Sequence, residues 1–218
     1  MLVKRRTTVR LYIKYDDMLA WIIANYVELI GATLGLLFLY LEIKENVWLW
    51  PVGLLSSAFY VAIFFSAKFY ADMGLQLYYV LISIYGWYRW WRGSGEGEPD
   101  NLPIVRLNGR LAVALSLIAT LLFFGIAEIL KRYTDSPVPY WDSFTTSLGI
   151  VATWMLAKKI IEMWWVWVIA NFVSLCFYFW KGLYPSVVLF FFYTVMSFAG
   201  YYAWRKKLAE QQVMYDRV

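Results

Sequence analysis

Apolar residues in this chain are gathered into long runs that short polar or charged stretches interrupt. Most of these runs approach or exceed the roughly 20 residues that a helix needs to cross a bilayer. The interruptions are charged or turn-forming, as from Glu42 to Asn46, in the Gly- and Pro-rich stretch after Arg92, and at Lys158 and Lys159. The pattern predicts seven membrane-spanning helices, at residues 19–41, 47–66, 70–91, 111–130, 141–157, 164–180 and 184–204.

The composition agrees with a membrane protein and narrows the possible chemistry. Hydrophobic residues make up 62% of the chain and charged residues 16%, against about 45–50% and about 25% in soluble domains. The sequence has no His and one Cys, Cys176, which excludes an intrachain disulfide and disfavours a Cys- or His-based metal site or nucleophile. We therefore expect no catalytic residue, no metal and no cofactor.

The positive charge of the chain is better explained by membrane orientation than by nucleic-acid binding. The net charge is +5, and the basic residues lie mainly in tails and loops between apolar runs. Loop residues such as Lys44, Arg92 and Lys158 fall on the same side as the C-terminus, which predicts that this side is cytoplasmic. With seven spans this orientation would put the basic N-terminal tail on the opposite side, and the charge of the tail opposes the assignment. The sequence therefore leaves the side of the N-terminal tail open.

The chain also repeats itself at an offset of 114 positions without a gap. Trp50 falls on Trp164 and Gly86 on Gly200, so the first three helices match the last three. Because four spans separate the two starts, both copies enter the membrane in the same direction. We predict an all-α membrane protein with seven transmembrane helices, in which a linker helix joins two parallel three-helix repeats (3+1+3). The predicted parts are a basic tail at 1–17, the first repeat at 18–91, a solvated loop at 92–110, the linker helix at 111–130, the second repeat at 131–205 and a charged tail at 206–218.

The sixth predicted helix carries an aromatic and polar stripe. Trp164, Trp167, Asn171, Ser174 and Tyr178 are spaced by three or four residues and therefore share one helical face. A side-chain amide in hydrocarbon needs a hydrogen-bonding partner, so Asn171 is expected to face protein or a water-filled cavity.

Similar faces on other helices extend this stripe into a candidate binding site. Two half-bundles that meet along these faces would enclose an aromatic cavity, and each well-placed ring could add roughly 0.5–2 kcal/mol for a cationic aromatic ligand. Interfacial anchoring explains Trp and Tyr near helix ends equally well, and close helix packing explains small residues such as Gly35 and Gly149. The candidate substrate-binding residues are Asn171, Trp167, Trp164, Gln76, Tyr79, Tyr60, Tyr178, Trp50, Tyr193 and Thr145.

Several segments carry a resemblance to the PnuC family of bacterial vitamin transporters. They are residues 68–76 (Lys-Phe-Tyr-Ala-Asp-Met-Gly-Leu-Gln), 84–90 (Ile-Tyr-Gly-Trp-Tyr-Arg-Trp), 139–142 (Pro-Tyr-Trp-Asp), 158–167 (Lys-Lys-Ile-Ile-Glu-Met-Trp-Trp-Val-Trp) and 181–184 (Lys-Gly-Leu-Tyr), and the likeness spans residues 20–205. The resemblance implies a 3+1+3 fold related to the SWEET sugar transporters and assembly as a homotrimer. It also implies facilitated diffusion of an unphosphorylated vitamin across the inner membrane, with trapping by a cytoplasmic vitamin kinase.

The resemblance makes nicotinamide riboside the first choice of substrate and leaves thiamine as the alternative. Relatives carry thiamine, riboflavin or deoxynucleosides, and the segment 48–53 (Trp-Leu-Trp-Pro-Val-Gly) departs from some nicotinamide riboside members. Two other classes compete with a transporter. An intramembrane enzyme is disfavoured because the sequence offers no evident nucleophile and base, whereas a seven-helix sensor would need no translocation path.

Overall fold

The computed structural model describes residues 19–20, 23, 26–67, 70–93 and 102–215. The predicted tail at 1–17, parts of the first predicted helix, residues 94–101 of the predicted loop and the last three residues of the chain lie outside these ranges. Within them the fold is all-helical, as predicted, apart from one isolated β-bridge. Seven helices are described there: α1 (Tyr26–Ile43), α2 (Leu49–Ala67), α3 (Tyr70–Arg92), α4 (Gly109–Tyr133), α5 (Pro139–Ala157), α6 (Met163–Trp180) and α7 (Tyr184–Tyr215).

Local sequence signals account for several helix ends. The Asn108 side chain accepts a hydrogen bond from Leu111 N at 2.7 Å and so caps the start of α4. Pro139 opens α5, where its missing N–H costs no helical hydrogen bond. Gly182, at φ +72°, forms the turn between α6 and α7, a backbone conformation that favours glycine.

The last helix is longer than the sequence pattern predicts, because α7 continues past Trp204 to Tyr215. Its final turns consist largely of Lys, Leu, Ala, Glu and Gln, which favour helix. Leu208 is buried there, and the Gln211 side chain accepts a hydrogen bond from Ile104 N at 3.3 Å. The end of α7 is therefore packed against the rest of the protein, and the expectation of a helix end near residue 204 is wrong.

Four of the described helices are long and apolar enough to cross a membrane. They are the segments Leu49–Ser66, Gly109–Tyr133, Met163–Trp180 and Ser186–Met214. Along α4, Leu117, Leu121 and Phe124 are spaced by four and three residues and are all more than half exposed, which suits a face that contacts lipid. These features identify a multi-pass helical membrane protein.

By their contacts, the helices other than α4 fall into two groups, α1–α3 and α5–α7. α2 packs against α1 and α3, while α6 packs against α5 and α7; α3 contacts α5, and α1 contacts α7. α4 packs against α5. Each group contains one edge-to-face tryptophan pair with all four rings fully buried: Trp50 with Trp90 at 5.5 Å between centroids, and Trp164 with Trp204 at 5.7 Å. These two pairs occupy positions 114 residues apart.

A polar cluster joins the groups at the end of the bundle that holds the α1–α2 and α5–α6 turns. Glu45 and Lys159, one from each turn, form a buried ion pair at 3.1 Å. Both residues adopt positive φ angles, 54° and 51°, and their positions again differ by 114. Lys207 of α7 lies 3.0 Å from the same Glu45 carboxylate, and the Lys159 ammonium lies 4.5 Å from the centroid of the Trp90 ring.

The segment 102–107, which we call the strap, lies across this end of the bundle. Val105 N donates to Lys159 O, and Ile161 N donates to Val105 O, both at 3.0 Å. Leu107 N donates to the Glu162 carboxylate at 2.8 Å. Within the strap, Leu102 and Ile104 are buried. The strap therefore ties the start of α4 to the α5–α6 turn and to α7.

Candidate functional site

A cavity of about 220 Å³ lies between the two helix groups. Its wall is formed mostly by α1, α2 and α3, and Thr153 of α5 and Trp167 of α6 complete it. Three of the sequence-predicted residues line it: Trp50, Tyr79 and Trp167. The full lining consists of Leu34, Gly35, Phe38, Trp50, Val52, Gly53, Ser56, Ser57, Tyr79, Ser83, Thr153 and Trp167.

The cavity wall on α2 carries small residues at positions where α6 carries large ones. Gly53 stands at the position that matches Trp167, and Ser57 stands at the position that matches Asn171. A Cβ at Gly53 would come within 3.0 Å of the Phe38 ring, so the wall is already close at that point. The Trp167 indole of the second group therefore corresponds to the single hydrogen atom of the Gly53 side chain in the first group.

Asn171 faces protein, as its position in an apolar helix predicts. It is 9% exposed, and its Nδ2 donates to Ser197 Oγ of α7 at 3.3 Å. Ser197 Oγ in turn donates to the Tyr193 carbonyl at 2.7 Å. The amide is thus paired between α6 and α7, one turn beyond Trp167 and outside the cavity lining.

Two tyrosines approach the other helix group over glycine. The Tyr79 hydroxyl lies 3.2 Å from where a Cβ on Gly149 would stand, and the Tyr193 hydroxyl lies 2.6 Å from the corresponding point on Gly35. The first pair joins α3 to α5 and the second joins α7 to α1, and the two pairs occupy matching positions of the two groups. Tyr193 therefore adjoins the cavity through Gly35, and the absence of a Cβ at each glycine allows the close approach.

The other sequence-predicted residues lie away from the cavity lining. Trp164 is fully buried against Gly200 and Trp204. The Thr145 hydroxyl bonds to carbonyls of its own helix, and Gln76 is half-buried on α3. Two further candidates stack on aromatic neighbours: Tyr60 on Phe64 at 5.8 Å and Tyr178 on Phe190 at 5.1 Å.

Sequence reasoning did not place several lining residues in the site. Phe38, Thr153, Gly53 and Ser56 belong to the cavity, yet none was among the candidates. The available signal was spacing: Gly35 and Phe38 lie three residues apart on α1, as Gly53 and Ser56 do on α2. That spacing predicts a shared helical face, but only the packing of the helices shows which face meets the cavity.

The chemistry of the lining is aromatic and hydroxylic. The aromatic residues Trp50, Tyr79 and Trp167 line a space that serine and threonine residues also line. Such a wall suits a flat ligand with polar substituents. Among the described residues no group of His, Cys, Asp or Glu is arranged to hold a metal ion.

A multi-pass helical bundle around a small aromatic cavity defines a membrane protein with a small-molecule site. The chain belongs to the nicotinamide mononucleotide transporter family, whose family model matches residues 25–206. This match confirms the resemblance found in the sequence.

Individual relatives cover most of the chain. The nicotinamide riboside transporter PnuC of Escherichia coli (strain K12) is 26% identical over 210 residues, which cover 86% of this chain and 88% of that protein. The riboflavin/roseoflavin transporter RibM of Streptomyces davaonensis is 24% identical over 194 residues, covering 88% of each. The crystal structure of the vitamin B3 transporter PnuC matches the fold with a TM-score of 0.66 at 21% identity, covering 85% of this chain and 83% of that one.

Proposed function

We propose that this protein carries an unphosphorylated vitamin across the bacterial inner membrane by facilitated diffusion, with nicotinamide riboside as the first choice of substrate. The observation that carries the proposal is the match to the Escherichia coli nicotinamide riboside transporter along 86% of this chain. A cytoplasmic vitamin kinase then traps the substrate, so no ion gradient is needed. Thiamine, which also has a cationic aromatic ring, is the alternative substrate, and a seven-helix sensor is the alternative role.

The architecture proposed for transport is the parallel 3+1+3 repeat with seven spans. It is supported by contacts that recur at the same offset: the two buried tryptophan pairs and the two tyrosine–glycine approaches. The contacts between the groups recur as well, because α3 meets α5 and α7 meets α1. In this arrangement α4 joins the two triplets, and the cavity lies where they meet.

The cavity supports a binding mode in which aromatic rings hold the vitamin ring and hydroxyls bond the sugar. Tyr79 and Trp167 supply the rings, and Ser57 and Thr153 supply hydroxyls. The volume of about 220 Å³ is below the roughly 300–1,000 Å³ of ordinary ligand pockets. In this proposal the two triplets move apart slightly to admit a nucleoside, and Asn171, one turn beyond Trp167, then contacts the substrate.

Binding to the purified protein tests the proposal directly. Radiolabelled nicotinamide riboside should bind saturably, and a competition panel of thiamine, riboflavin and deoxynucleosides should rank the vitamin classes. Uptake into liposomes without an ion gradient then distinguishes a transporter from a sensor. If the protein binds the vitamin but liposomes do not accumulate or exchange it, the sensor is the better assignment.

Substitutions on α6 test the location of the site. Trp167→Ala removes a cavity ring and Asn171→Leu removes the neighbouring amide, so each should abolish binding while the bundle stays folded. Trp165→Ala is the matched control, since Trp165 is 43% exposed and packs on Phe198 and Tyr201 outside the cavity. Wild-type affinity in both Trp167→Ala and Asn171→Leu would remove α6 from the site.

Orientation and assembly complete the proposal. The C-terminus is proposed to be cytoplasmic, because loop residues such as Lys44 and Lys158 lie on its side. A C-terminal fluorescent-protein fusion should then fluoresce, whereas an alkaline phosphatase fusion should be inactive. The protein is proposed to assemble as a homotrimer, which the mass of the detergent-solubilised particle measures.

A further inference from the structure

Glu42 is a buried acid that no part of the proposed binding mode uses. It lies in the last turn of α1 and is 3% exposed. Its Oε1 has no hydrogen-bond partner among the described residues. Its backbone carbonyl accepts a hydrogen bond from Trp204 Nε1 at 3.1 Å, which holds this turn against α7. A carboxyl group in such a place is costly unless it gains a partner.

The Glu42 side chain lies next to the cavity wall. Gly35, Phe38 and Glu42 share one face of α1, at spacings of three and four residues. Gly35 and Phe38 line the cavity, and so does Trp167, whose indole faces the Glu42 carboxyl. The Trp167 Nε1–H is itself buried without a hydrogen-bond partner among the described residues. The buried Glu42 carboxyl and the buried Trp167 N–H thus face each other just behind a cavity ring.

The nearby cations are engaged with a different acid. Lys159 and Lys207 both pair with Glu45, three residues after Glu42. None of the ion pairs found in the described part of the chain includes Glu42.

We propose that Glu42 makes the site selective for cationic vitamins by acting through Trp167. This inference rests on the proposed transport function. A cation that enters the site favours the ionised form of Glu42, whose proton passes to solvent. The Trp167 N–H then donates to the carboxylate, which makes the face of the indole ring more negative. A positively charged ring stacked on that face gains from the ring and from the carboxylate behind it. An uncharged ring of the same shape gains only the stacking.

A matched pair of ligands isolates the charge. Nicotinamide riboside carries a positive pyridinium ring, whereas its reduced dihydro form has nearly the same size and no charge. The experiment measures the Kd of both forms for the wild-type protein and for Glu42→Gln, in detergent at neutral pH. We expect the wild type to prefer the cation, and Glu42→Gln to lose about tenfold of that preference while it binds the uncharged form as the wild type does.

Glu162→Gln is the control substitution. Glu162 lies at the same end of the bundle, and its carboxylate accepts the Leu107 N–H, a bond that a glutamine oxygen can keep. The preference for the cation should be unchanged in this variant. Glu42→Asp, which keeps the charge on a shorter side chain, should retain more of the preference than Glu42→Gln.

The outcomes separate the two proposals. If the wild type binds neither nicotinamide riboside nor thiamine, the proposed function fails. If it binds nicotinamide riboside and the dihydro form equally well, Glu42 selects nothing, and this result needs no variant that might unfold. An unchanged preference in a folded Glu42→Gln would also overturn the inference and would leave the proposed function standing.

Discussion

Two glycines set how closely α2 approaches α3 and α6 approaches α7. A Cβ on Gly86 would overlap the Trp50 indole, and a Cβ on Gly200 would overlap the Trp164 indole. All four positions belong to buried contacts, since both indoles are fully inaccessible. The tryptophan rings can lie flat on these helices only because no side chain intervenes.

Adding one methyl group at these glycines should destabilise the bundle. We expect Gly86→Ala and Gly200→Ala each to cost about 1–3 kcal/mol of folding free energy, because an indole locked between helices cannot move aside. The thermal unfolding temperature of the protein in detergent measures the effect.

The chain provides a control for the loss of glycine itself. Gly125 lies inside α4, and nothing stands within 4 Å of the place that its Cβ would occupy. Gly125→Ala should therefore leave the unfolding temperature unchanged or raise it, since alanine favours helix by about 1 kcal/mol. A loss of stability as large as that of Gly86→Ala would show that glycine freedom, and not the indole contact, explains the effect.

The sequence predicted the surroundings of individual residues where elementary chemistry restricts what a side chain can contact. Asn171 had to face protein because an amide is costly in lipid, and its bond to Ser197 agrees. Trp50, Tyr79 and Trp167 do line a cavity. Thr153 could not be assigned, because a small hydroxyl residue on an apolar helix satisfies its hydrogen bond to Gly149 O on any face.

At the scale of elements, the strap is the feature that joins α4 to the second group. Its backbone bonds resemble a single rung of a parallel sheet, with Val105 N donating to Lys159 O at 3.0 Å. Arg106, the next residue, is exposed. The chain is therefore accessible to a protease at this point but is held in a fixed conformation.

Val105→Pro should release the strap, because proline has no N–H to donate to Lys159 O. We expect trypsin to cleave after Arg106 several-fold faster than in the wild type, while the helices remain folded. Peptide mass spectrometry over a digestion time course follows that single bond.

Val105→Ala is the control, since it keeps the N–H and removes only part of a side chain that is 41% exposed. Equal cleavage rates in Val105→Pro and the wild type would mean that the backbone pairing does not hold the strap.

The helices themselves were largely predictable, and the contacts of their ends were not. The apolar runs gave all seven, since charge and turn residues interrupt hydrophobicity where helices stop. The end of α7 was missed because its last turns are polar, and hydrophobicity alone cannot distinguish a solvated tail from a helix held by Leu208 and Gln211. The strap was missed because the Gly, Pro and acidic residues of the segment 92–110 are typical of a solvated loop.

At the scale of the whole molecule, the Glu45–Lys159 pair is a buried charged contact between the two helix groups. The pair is buried, with side chains 8% and 2% exposed. Removing one partner of a buried pair leaves an uncompensated charge, which commonly costs about 3–5 kcal/mol. Lys207 is half exposed and adjoins the same carboxylate, so it should recover part of the loss when Lys159 is removed.

A double-mutant cycle measures this contact. We expect Lys159→Met and Glu45→Gln each to lower the unfolding temperature, and the double variant to lose less than the sum of the two single losses. Additive losses would show that the two side chains do not depend on each other. Lys206→Met, at an exposed position beside Lys207, is the matched control and should have little effect.

Glu45 and Lys159 occupy corresponding places in the two triplets of the proposed repeat, and this has an evolutionary consequence. If the two triplets descend from one gene whose product paired with itself, the same amino acid once stood on both sides of that contact. Two glutamates or two lysines cannot neutralise each other, so an ion pair there became possible only after duplication and fusion let the copies diverge. On this account a symmetric dimer first became one chain, and the opposite charges at this contact arose afterwards.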